Sequence, residues 1–400
     1  MPRVIVILPT STYRAADFIS AADSLGIDLV VAAEKPPPLA MGDRYLQIDC
    51  SDPDRAAGQI ADLGDQAPID AVVAADDQGV LVAAMATERM GLLGNPHPAA
   101  AATRDKSLMR RRLETAEIDQ PAHVLIDPDA SIEDVVAPIG FPLVLKPLDR
   151  SASQGVIRVD RPQDLRATAE RIRDIVGPDA RLLAEAYVSG EEIAIEGMMR
   201  DGLLRVLAVF DKPDTSSGPY FPETIFVTPS RLDPDTLAEA ERVAAAGVRA
   251  LGLTTGPVHI ELRVEGGRAR IIEIAARSIG GLCSRSLNFG LLGTTLETLI
   301  LRNALGLDKE ALKRETVSSG VLMIPAPGSG RLASIEGEAE ARSIPGVTGM
   351  DFTIAPGRQV VAPPEGERYI GFVYAKGESP EAVETALRKA KEKLEVQLEG

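Results

Sequence analysis

The chain has 400 residues, of which 45% are hydrophobic and 26% charged, and its formal net charge at pH 7 is −16. This length exceeds what one ordinary hydrophobic core serves, so we expect a folded protein of two or three domains. The negative charge would repel a phosphate backbone, and no basic stripe interleaved with aromatic residues occurs. Both features argue against nucleic acid as a partner.

Metal clusters and membrane segments are also disfavoured by the sequence. Cys50 and Cys283 lie far apart without zinc-ligand spacing, and the three histidines are too scattered for a histidine-based metal site. The opening segment "MPRVIVILPT" has an apolar core too short for a signal peptide, and no apolar run approaches the length of a membrane span. We therefore expect a cytoplasmic protein without a membrane partner.

Residues 1–100 alternate apolar strands with helical stretches. Near-continuous apolar strands joined by helices are typical of a doubly wound parallel sheet. The segment after the first strand, "PTSTYRA", contains no glycine, so the GxGxxG fingerprint is absent and we expect a Rossmann-like domain that is not an NAD site. The predicted strands are 4–8, 28–34, 46–49 and 71–77, and the predicted helices are 15–25 and 53–63.

Polar residues follow the last of these strands. Asp76, Asp77 and Gln78 belong to "DDQG", which would lie at the carboxyl edge of the sheet, where such folds bind their ligands. These three residues are the best candidates for ligand contact in the N-terminal domain.

The rest of the chain mixes strands and helices less regularly. A proline-containing linker and a basic helix are predicted within 94–118. Further strands are predicted within 141–159, 181–210, 258–277, 320–327, 350–357 and 369–377, and further helices at 164–176, 234–251, 294–307 and 380–398.

Two lysines are placed well for phosphate binding. Lys146 ends the apolar strand "FPLVLK", and the loop "DRSASQG" (149–155) follows it with small side chains that let backbone N–H groups approach phosphate oxygens. Lys106 begins a helix. By itself such a loop is more often an ordinary hairpin turn.

Two glutamates lie on a predicted hairpin, "GPVHIELRVEGGRARIIEIAAR". A two-residue Gly-Gly turn would pair Glu261 with Ile272 and place Glu261 and Glu273 on opposite faces. A three-residue turn (265–267) would instead put His259, Glu261, Ile271, Glu273, Ala275 and Arg277 on one face, with Ile272 on the other.

The three-residue turn is the register that we predict, because it brings both carboxylates together. Two carboxylates on one face need a cation, and Mg²⁺ held by them and by substrate phosphates is the natural candidate. The alternative is a solvated strand face with glutamate–arginine pairs.

In order and spacing, these segments resemble the ATP-grasp superfamily across roughly 100–305. "RDKSLMR" and "FPLVLKP" resemble its two phosphate-binding lysine segments, and "DRSASQGV" its mobile loop. "LLAEAYVSGEE" is similar to the hinge that recognises adenine, and "GPVHIEL…RIIEIAAR" to the paired magnesium glutamates with a following arginine.

The resemblance implies a role for each matching residue. Arg277 would neutralise charge on the transferring phosphoryl group and the acyl intermediate, and Glu192 would bind the ribose hydroxyls. Glu261 and Glu273 would hold Mg²⁺, or Mn²⁺ in its place. The phosphates would lie against Lys106, Lys146, Ser153, Gln154 and Gly155, with Arg277, Lys146 and Ser153 catalytic, and adenine against Glu185, Ala186, Tyr187 and Val188.

One departure from the superfamily pattern suggests a branch. Many members carry E-x-N-x-R, but this chain has alanine at 275, as in the similar E-x-A-A-R of the L-amino-acid ligases. The resemblance implies a pre-ATP-grasp domain at 1–100, an ATP-grasp domain at 101–307 with a mobile lid at about 120–190, and a small β-rich C-terminal α/β domain at 308–400. It also implies a homodimer.

The substrate side is harder to assign from sequence. Glu223, in "SGPYFPETIFVTPS" (217–230), would bind an ammonium group, or is a solvated edge residue. Ser278, Gly280 and Gly281 follow Arg277, and the glycines either open an acyl pocket or only permit a turn. His259 is a further candidate for ligand contact.

The function implied is ATP-dependent joining of a carboxylate, expected to be an amino acid, to an amine through an acyl phosphate, with release of ADP and phosphate. Both substrates would be small molecules. Two alternatives stay open: another ATP-grasp acyl-phosphate enzyme, of the carboxylase or purine-pathway type, or a nucleotide-binding module without turnover.

Overall fold

The computed structural model describes residues 1–10, 12–36, 44–214, 218–307 and 313–399. Residue 217, the first of the predicted ammonium-binding segment, and residues 308–312, where the predicted C-terminal domain begins, lie outside these ranges. The predicted α/β and α+β fold class is confirmed. No helix within the described ranges combines the length and the apolar character that crossing a membrane requires.

The N-terminal region is a doubly wound parallel sheet, as predicted. Its strand order is β3–β2–β1–β4. Ile5 and Ile7 pack on the helices of one face, whereas Val4 and Val6 pack on the other. The strands are β1 (Arg3–Ile7), β2 (Asp28–Ala33), β3 (Tyr45–Gln47) and β4 (Ala71–Ala74), and the helices are α1 (Ala15–Leu25), α2 (Pro53–Gln66) and α3 (Val80–Met90).

Two short helices connect this sheet to the next domain. The predicted basic helix is divided into α4 (His97–Arg104) and α5 (Lys106–Thr115). Asp105 separates them, and its carboxylate accepts hydrogen bonds from the backbone N–H groups of Ser107 and Leu108. This N-cap fixes the start of α5 and therefore the position of Lys106.

A small antiparallel sheet with strand order β5–β8–β6–β7 lies where the lid was predicted. Its core is the apolar cluster that includes Leu143, Leu145 and Ile172. Its elements are β5 (His123–Ile126), α6 (Ile132–Val136), β6 (Leu143–Pro147), β7 (Ile157–Val159), α7 (Leu165–Val176) and β8 (Leu182–Ala186).

A long central sheet connects the middle of the chain to its C-terminal part, in the order β13–β12–β9–β10–β11–β14–β18–β16. Helix α8 packs on one face, and α9 and α1 pack on the other. The strands are β9 (Glu191–Arg200), β10 (Leu203–Lys212), β11 (Ile225–Thr228), β12 (Gly256–Glu265), β13 (Arg268–Ala275), β14 (Ser318–Pro325), β16 (Val347–Phe352) and β18 (Tyr369–Gly377), and the helices are α8 (Pro234–Leu251) and α9 (Leu296–Ala304).

The predicted final helix at 380–398 is too long. Helix α11 (Pro380–Lys393) ends earlier, and Glu395–Glu399 forms β19, which pairs with β15 (Gly330–Glu336). The sequence "EVQLE" alternates polar and apolar residues with the period of a strand, and this local pattern favours a strand over a longer helix. The remaining elements are α10 (Glu338–Arg342) and β17 (Gln359–Val360).

The β12–β13 hairpin corrects the predicted register. Its turn has two residues, Gly266 and Gly267, both with positive φ (58° and 77°), and Glu265 pairs with Arg268. A one-residue bulge at Ile272 then shifts the pairing, so that Glu261 lies opposite Glu273.

The glutamates therefore meet as predicted, but by a different route. Ile271 and Ile272 exchange the faces that we assigned to them: Ile271 packs in the core, and Ile272 lines a cavity.

A buried arginine joins the N-terminal sheet to the central domain. Arg14 is fully buried, and its guanidinium donates to the Glu297 carboxylate at 2.6 Å and to the Ser278 hydroxyl at 2.5 Å. Ser284 donates to the same oxygen of Glu297. Because Ser278 follows Arg277, this contact fixes the segment that carries the predicted catalytic arginine.

Removal of this arginine tests the contact. We expect Arg14→Leu to lower the free energy of unfolding by about 3–5 kcal/mol, because the buried Glu297 carboxylate would lose its counter-charge and keep only the hydrogen bond from Ser284. The control Arg242→Leu, which breaks the exposed ion pair with Glu239, should change the free energy of unfolding by no more than about 1 kcal/mol. Urea unfolding measures both, and equal losses in the two variants would contradict the structural role of Arg14.

Candidate active site

One cavity of about 240 Å³ collects residues from the N-terminal sheet, the lid, the central sheet and the C-terminal part. Most of the predicted site residues line it, and Gln154, Gly155 and Ser278 do not. The predicted residues in its wall are Asp76, Asp77, Gln78, Lys106, Lys146, Ser153, Glu185, Ala186, Tyr187, Val188, Glu192, Glu223, His259, Glu261, Glu273, Arg277, Gly280 and Gly281.

The two predicted phosphate lysines are buried and lie in the wall of this cavity. Lys106 donates to the backbone carbonyl of Arg150 at 2.7 Å and pairs with Glu273 at 3.2 Å. Lys146 pairs with Glu185 at 2.6 Å. Burial lowers the pKa of Lys146, and the nearby Arg110 and Lys106 lower it further, while Glu185 opposes them.

Glu185 neutralises a buried pair of cations. Its second carboxylate oxygen accepts from Arg110 Nε at 2.7 Å. Burial alone would raise the pKa of Glu185, but Arg110 and Lys146 lower it to about 2. The side chain is therefore committed to these two cations, which leaves only its backbone for the adenine contact that we predicted.

Arg110 also stabilises the bulge in β13. Its guanidinium donates to the backbone carbonyls of Ile271, at 2.9 Å, and Ile272, at 2.5 Å. The irregular pairing at Ile272 frees such groups from the ladder, and buried carbonyls need partners. The sequence analysis missed this residue, although it lies one helical turn after Lys106 on α5.

A lysine that the sequence analysis missed lies beside the glutamate pair. Lys212 contacts Glu192 at 2.5 Å, Glu261 at 3.1 Å and Glu223 at 3.2 Å. Burial would lower its pKa, but the three carboxylates raise it well above the usual value. Lys212 ends an apolar strand, β10, as Lys146 ends β6, so the signal used for Lys146 could have found it.

The opposed Glu261 and Glu273 fit a divalent cation. Burial alone would raise the pKa of Glu261, but Lys212 and His259 hold it well below the usual value, so the carboxylate is ionised. Within the described ranges no group of three or more histidine, cysteine or acidic side chains could hold a metal. Two carboxylates completed by substrate phosphates and water remain compatible with Mg²⁺.

His259 lies between two carboxylates rather than free in the cavity. Its Nδ1 is 3.2 Å from the fully buried Glu196, and its Nε2 is 3.7 Å from Glu261. Burial would lower the pKa of His259, but these two glutamates raise it to about 9. Glu196 also accepts from the backbone N–H of Ile279, so it connects His259 on β12 to the segment after Arg277.

The catalytic arginine that we predicted is held from the N-terminal sheet. Arg277 Nε donates to Asp77 at 2.9 Å, and Arg104 pairs with the other oxygen of Asp77 at 3.2 Å. Burial alone would raise the pKa of Asp77, but Arg277 and Arg104 lower it to about 2. Asp77 therefore orients Arg277, which the sequence could not show for residues 200 positions apart.

The side chains of Val144, Val188 and Ile272 give the cavity apolar walls. Tyr187 has arginine guanidinium groups over its ring, from Arg158 at 4.4 Å and Arg263 at 5.4 Å. Arg263 also pairs with Glu192 at 2.5 Å, which orients the predicted ribose ligand.

The predicted phosphate loop touches the C-terminal part of the chain. Ser153 lines the cavity with φ of 56°. Gln154 donates from its side chain to the carbonyl of Glu365, and Gly155 donates from its backbone N–H to the carbonyl of Pro364. Only Ser153 of the three predicted phosphate contacts therefore faces the cavity, because Gln154 and Gly155 bond to the C-terminal part instead.

The residues predicted to contact the substrate differ in how accessible they are to a ligand in the cavity. Glu223 lies in the cavity beside Lys212, and burial together with Glu261 raises its pKa to about 7 although Lys212 opposes them. Gly280 faces open space, whereas a side chain at Gly281 would meet the ring of Phe372 at 2.7 Å. Ser278 is buried against Arg14, so its hydroxyl is not available to a substrate.

Comparison with known proteins matches this geometry to three family models. An ATP-grasp N-terminal domain matches residues 19–94, an ATP-grasp domain matches 139–286, and "L-amino acid ligase C-terminal domain 2" matches 322–399. Residues 19–94 and 139–286 therefore match ATP-grasp domains, and the predicted resemblance to the L-amino-acid-ligase-like branch of the ATP-grasp superfamily is confirmed. The prediction of an ATP-grasp carboxylate–amine ligase is thereby confirmed at the level of the family.

The individual proteins that match this chain share less than 30% sequence identity with it. An uncharacterized protein of Sinorhizobium fredii is 24% identical over 99% of this chain and 83% of its own length. An alanine–anticapsin ligase of Bacillus subtilis is 29% identical over 53% of this chain and 49% of its own, so the match spans about half of that relative. The L-amino acid ligase of Bacillus licheniformis has the same fold, with a TM-score of 0.85, 23% identity and coverage of 100% and 99%.

The guanidinium of Arg110 can be tested by substitution. We expect Arg110→Lys to lower the free energy of unfolding by about 2 kcal/mol or more, because an ammonium cannot reach Glu185 and both bulge carbonyls together. The control Arg111→Lys changes the exposed neighbour on α5, and its free energy of unfolding should stay within about 0.5 kcal/mol of the wild-type value. Urea unfolding compares the two, and equal stabilities would refute the bridging role.

Proposed function

We propose that this protein is an ATP-dependent ligase that joins the carboxylate of an amino acid to an amine through an acyl phosphate. The observation that carries the proposal is the pairing of Glu261 opposite Glu273 in the cavity that also holds Lys106, Lys146 and Arg277. The match to the C-terminal domain of L-amino acid ligases supports this chemistry over the carboxylase and purine-pathway alternatives.

Nucleotide binding would use the lid and the central sheet. Adenine would lie between the apolar side chains of Val144, Val188 and Ile272, and Glu192 would accept from the ribose hydroxyls. Lys106 and Lys146 would hold the phosphates as point charges, and Ser153 would close over them. Homodimerisation stays a prediction.

Glu261 and Glu273 would hold Mg²⁺, which Mn²⁺ can replace because both accept oxygen ligands. The metal would supply charge neutralisation at the phosphates when bound. Lys106 and Lys212 now pair with these carboxylates, so the structure already balances their charge with cations.

Arg277 would orient the donor carboxylate and neutralise negative charge during phosphoryl transfer. In that step an oxygen of the donor carboxylate bonds to the γ-phosphorus of ATP, and the bond between this phosphorus and ADP breaks. Asp77 keeps the guanidinium in place for this step. The acceptor nitrogen would then bond to the acyl carbon as the bond to phosphate breaks, with protons lost to solvent. Glu223 would receive the incoming amine beside Lys212. The loop at 149–155 would keep water from the acyl phosphate when it closes over the site.

Turnover against a substrate panel tests the function. With MgATP and the twenty common L-amino acids, singly and in all pairs, we expect ADP release to need both a carboxylate donor and an amine acceptor for at least one pair. Mass spectrometry should find the amide product. If ATP binds but no pair releases ADP, the chain is a nucleotide-binding module and the proposed function is wrong.

The metal assignment has its own test. Glu273→Ala should lower Mg²⁺-dependent ADP release at least 100-fold, because one of two protein ligands is removed, while circular dichroism stays unchanged. Glu265→Ala, at the exposed turn of the same hairpin, is the matched control and should keep its activity. Near-normal turnover of Glu273→Ala would refute the assignment.

A further inference from the structure

One peptide unit after β13 is held by hydrogen bonds at both of its polar groups. This unit joins Ser278 to Ile279, in the buried segment that follows Arg277. Its carbonyl accepts from Arg277 Nη1 at 3.0 Å, and its N–H donates to a carboxylate oxygen of Glu196 at 2.9 Å. A peptide unit is planar and rigid, so the direction of its N–H fixes the direction of its carbonyl. Glu196 therefore acts on the guanidinium of Arg277 without touching it.

The carboxylate of Glu196 is itself well fixed. It is fully buried on β9, and His259 lies directly opposite it on β12. The oxygen that accepts from Ile279 also lies 3.2 Å from His259 Nδ1, and within the described ranges the other oxygen has no hydrogen-bond partner. Strand β12 separates β9 from β13 in the sheet, so this one side chain connects β9 to the segment that follows β13.

Two contacts fix the plane of the Arg277 guanidinium. Nε donates to Asp77 at 2.9 Å, and Nη1 donates to the Ser278 carbonyl. A single contact would leave the group free to turn about it, whereas contacts from two nitrogens of the rigid fork define its plane. Among the described residues Nη2 has no hydrogen-bond partner, so the fixed plane also fixes where this nitrogen can meet a ligand.

We propose that Glu196 is a positioning residue for phosphoryl transfer, because it orients Arg277 through the peptide unit between Ser278 and Ile279. This assignment rests on the proposed ligase function and makes its machinery more specific. Glu196 does not line the cavity, so we assign it no contact with ATP or with the substrates. Its loss should therefore slow the chemical step and leave nucleotide binding unchanged.

Two conservative substitutions separate the reach of this side chain from its charge. Glu196→Asp keeps the charge but is one methylene group shorter, which withdraws the acceptor from the Ile279 N–H. With the most active pair of the amino-acid panel, we expect kcat for ADP release to fall about 10- to 100-fold and the KM for MgATP to stay within about twofold. Glu196→Gln keeps the length and an acceptor oxygen, and should retain at least about a third of the wild-type kcat. Glu241→Asp, at an exposed glutamate of α8, is the matched control and should keep the wild-type values.

A second background shows whether Glu196 acts through Arg277. We expect Glu196→Asp to lower kcat by less than about threefold when Arg277→Lys is already present, because the fork that the peptide unit orients is gone. Single-turnover ADP formation, with the protein in excess over ATP, keeps the slower variants measurable. A merely structural role would give the same fold loss in both backgrounds.

The outcomes separate this inference from the function on which it depends. Equal fold losses in the two backgrounds refute the positioning role, as does a kcat of Glu196→Asp close to that of the wild type. Equal losses in Glu196→Asp and Glu196→Gln also refute it, because keeping the reach of the side chain would then bring no benefit. The ligase function would stand in each case, whereas a wild type that releases no ADP from any pair would overturn both.

Discussion

The hydrogen bonds of one buried guanidinium group hold the active site together. Arg110 donates to the carbonyls of Ile271 and Ile272 and pairs with Glu185, which in turn holds Lys146. The first contacts stabilise the bulge that puts Glu273 opposite Glu261, and the last gives the buried Lys146 a carboxylate partner. Because buried carbonyls and buried charges are costly without partners, the opposed glutamates and Lys146 depend on the same side chain.

The remaining charges of the site come from distant parts of the chain. Asp77 and Arg14, in the N-terminal sheet region, fix Arg277 and Ser278 on the central domain, and Arg368 reaches the same cavity from the C-terminal part. Each of these contacts crosses between separately folded layers. A change in how these parts pack would therefore alter the orientation of the charged groups in the cavity.

The hairpin shows how far sequence reasoning reached. The predicted register placed Glu261 and Glu273 on one face of the hairpin, and they do share that face, directly opposite each other. The predicted three-residue turn was wrong, because Gly266 and Gly267 both adopt positive φ and form a two-residue turn. The register shift lies instead at Ile272, where Arg110 compensates the irregular backbone. That compensation involves a helix 160 residues earlier, so no local pattern in the hairpin could reveal it.

The sequence by itself determined the alternation of strands and helices, the lysines at strand and helix ends, the glutamate pair and the resemblance to the ATP-grasp superfamily. These features follow from periodicity and from local residue chemistry. Only the tertiary structure decided which charges neutralise each other: Glu185 with Lys146 and Arg110, Lys212 with three glutamates, and Asp77 with Arg277. The physical reason is that ion pairing depends on distance in space and on burial, and neither is encoded in sequence spacing.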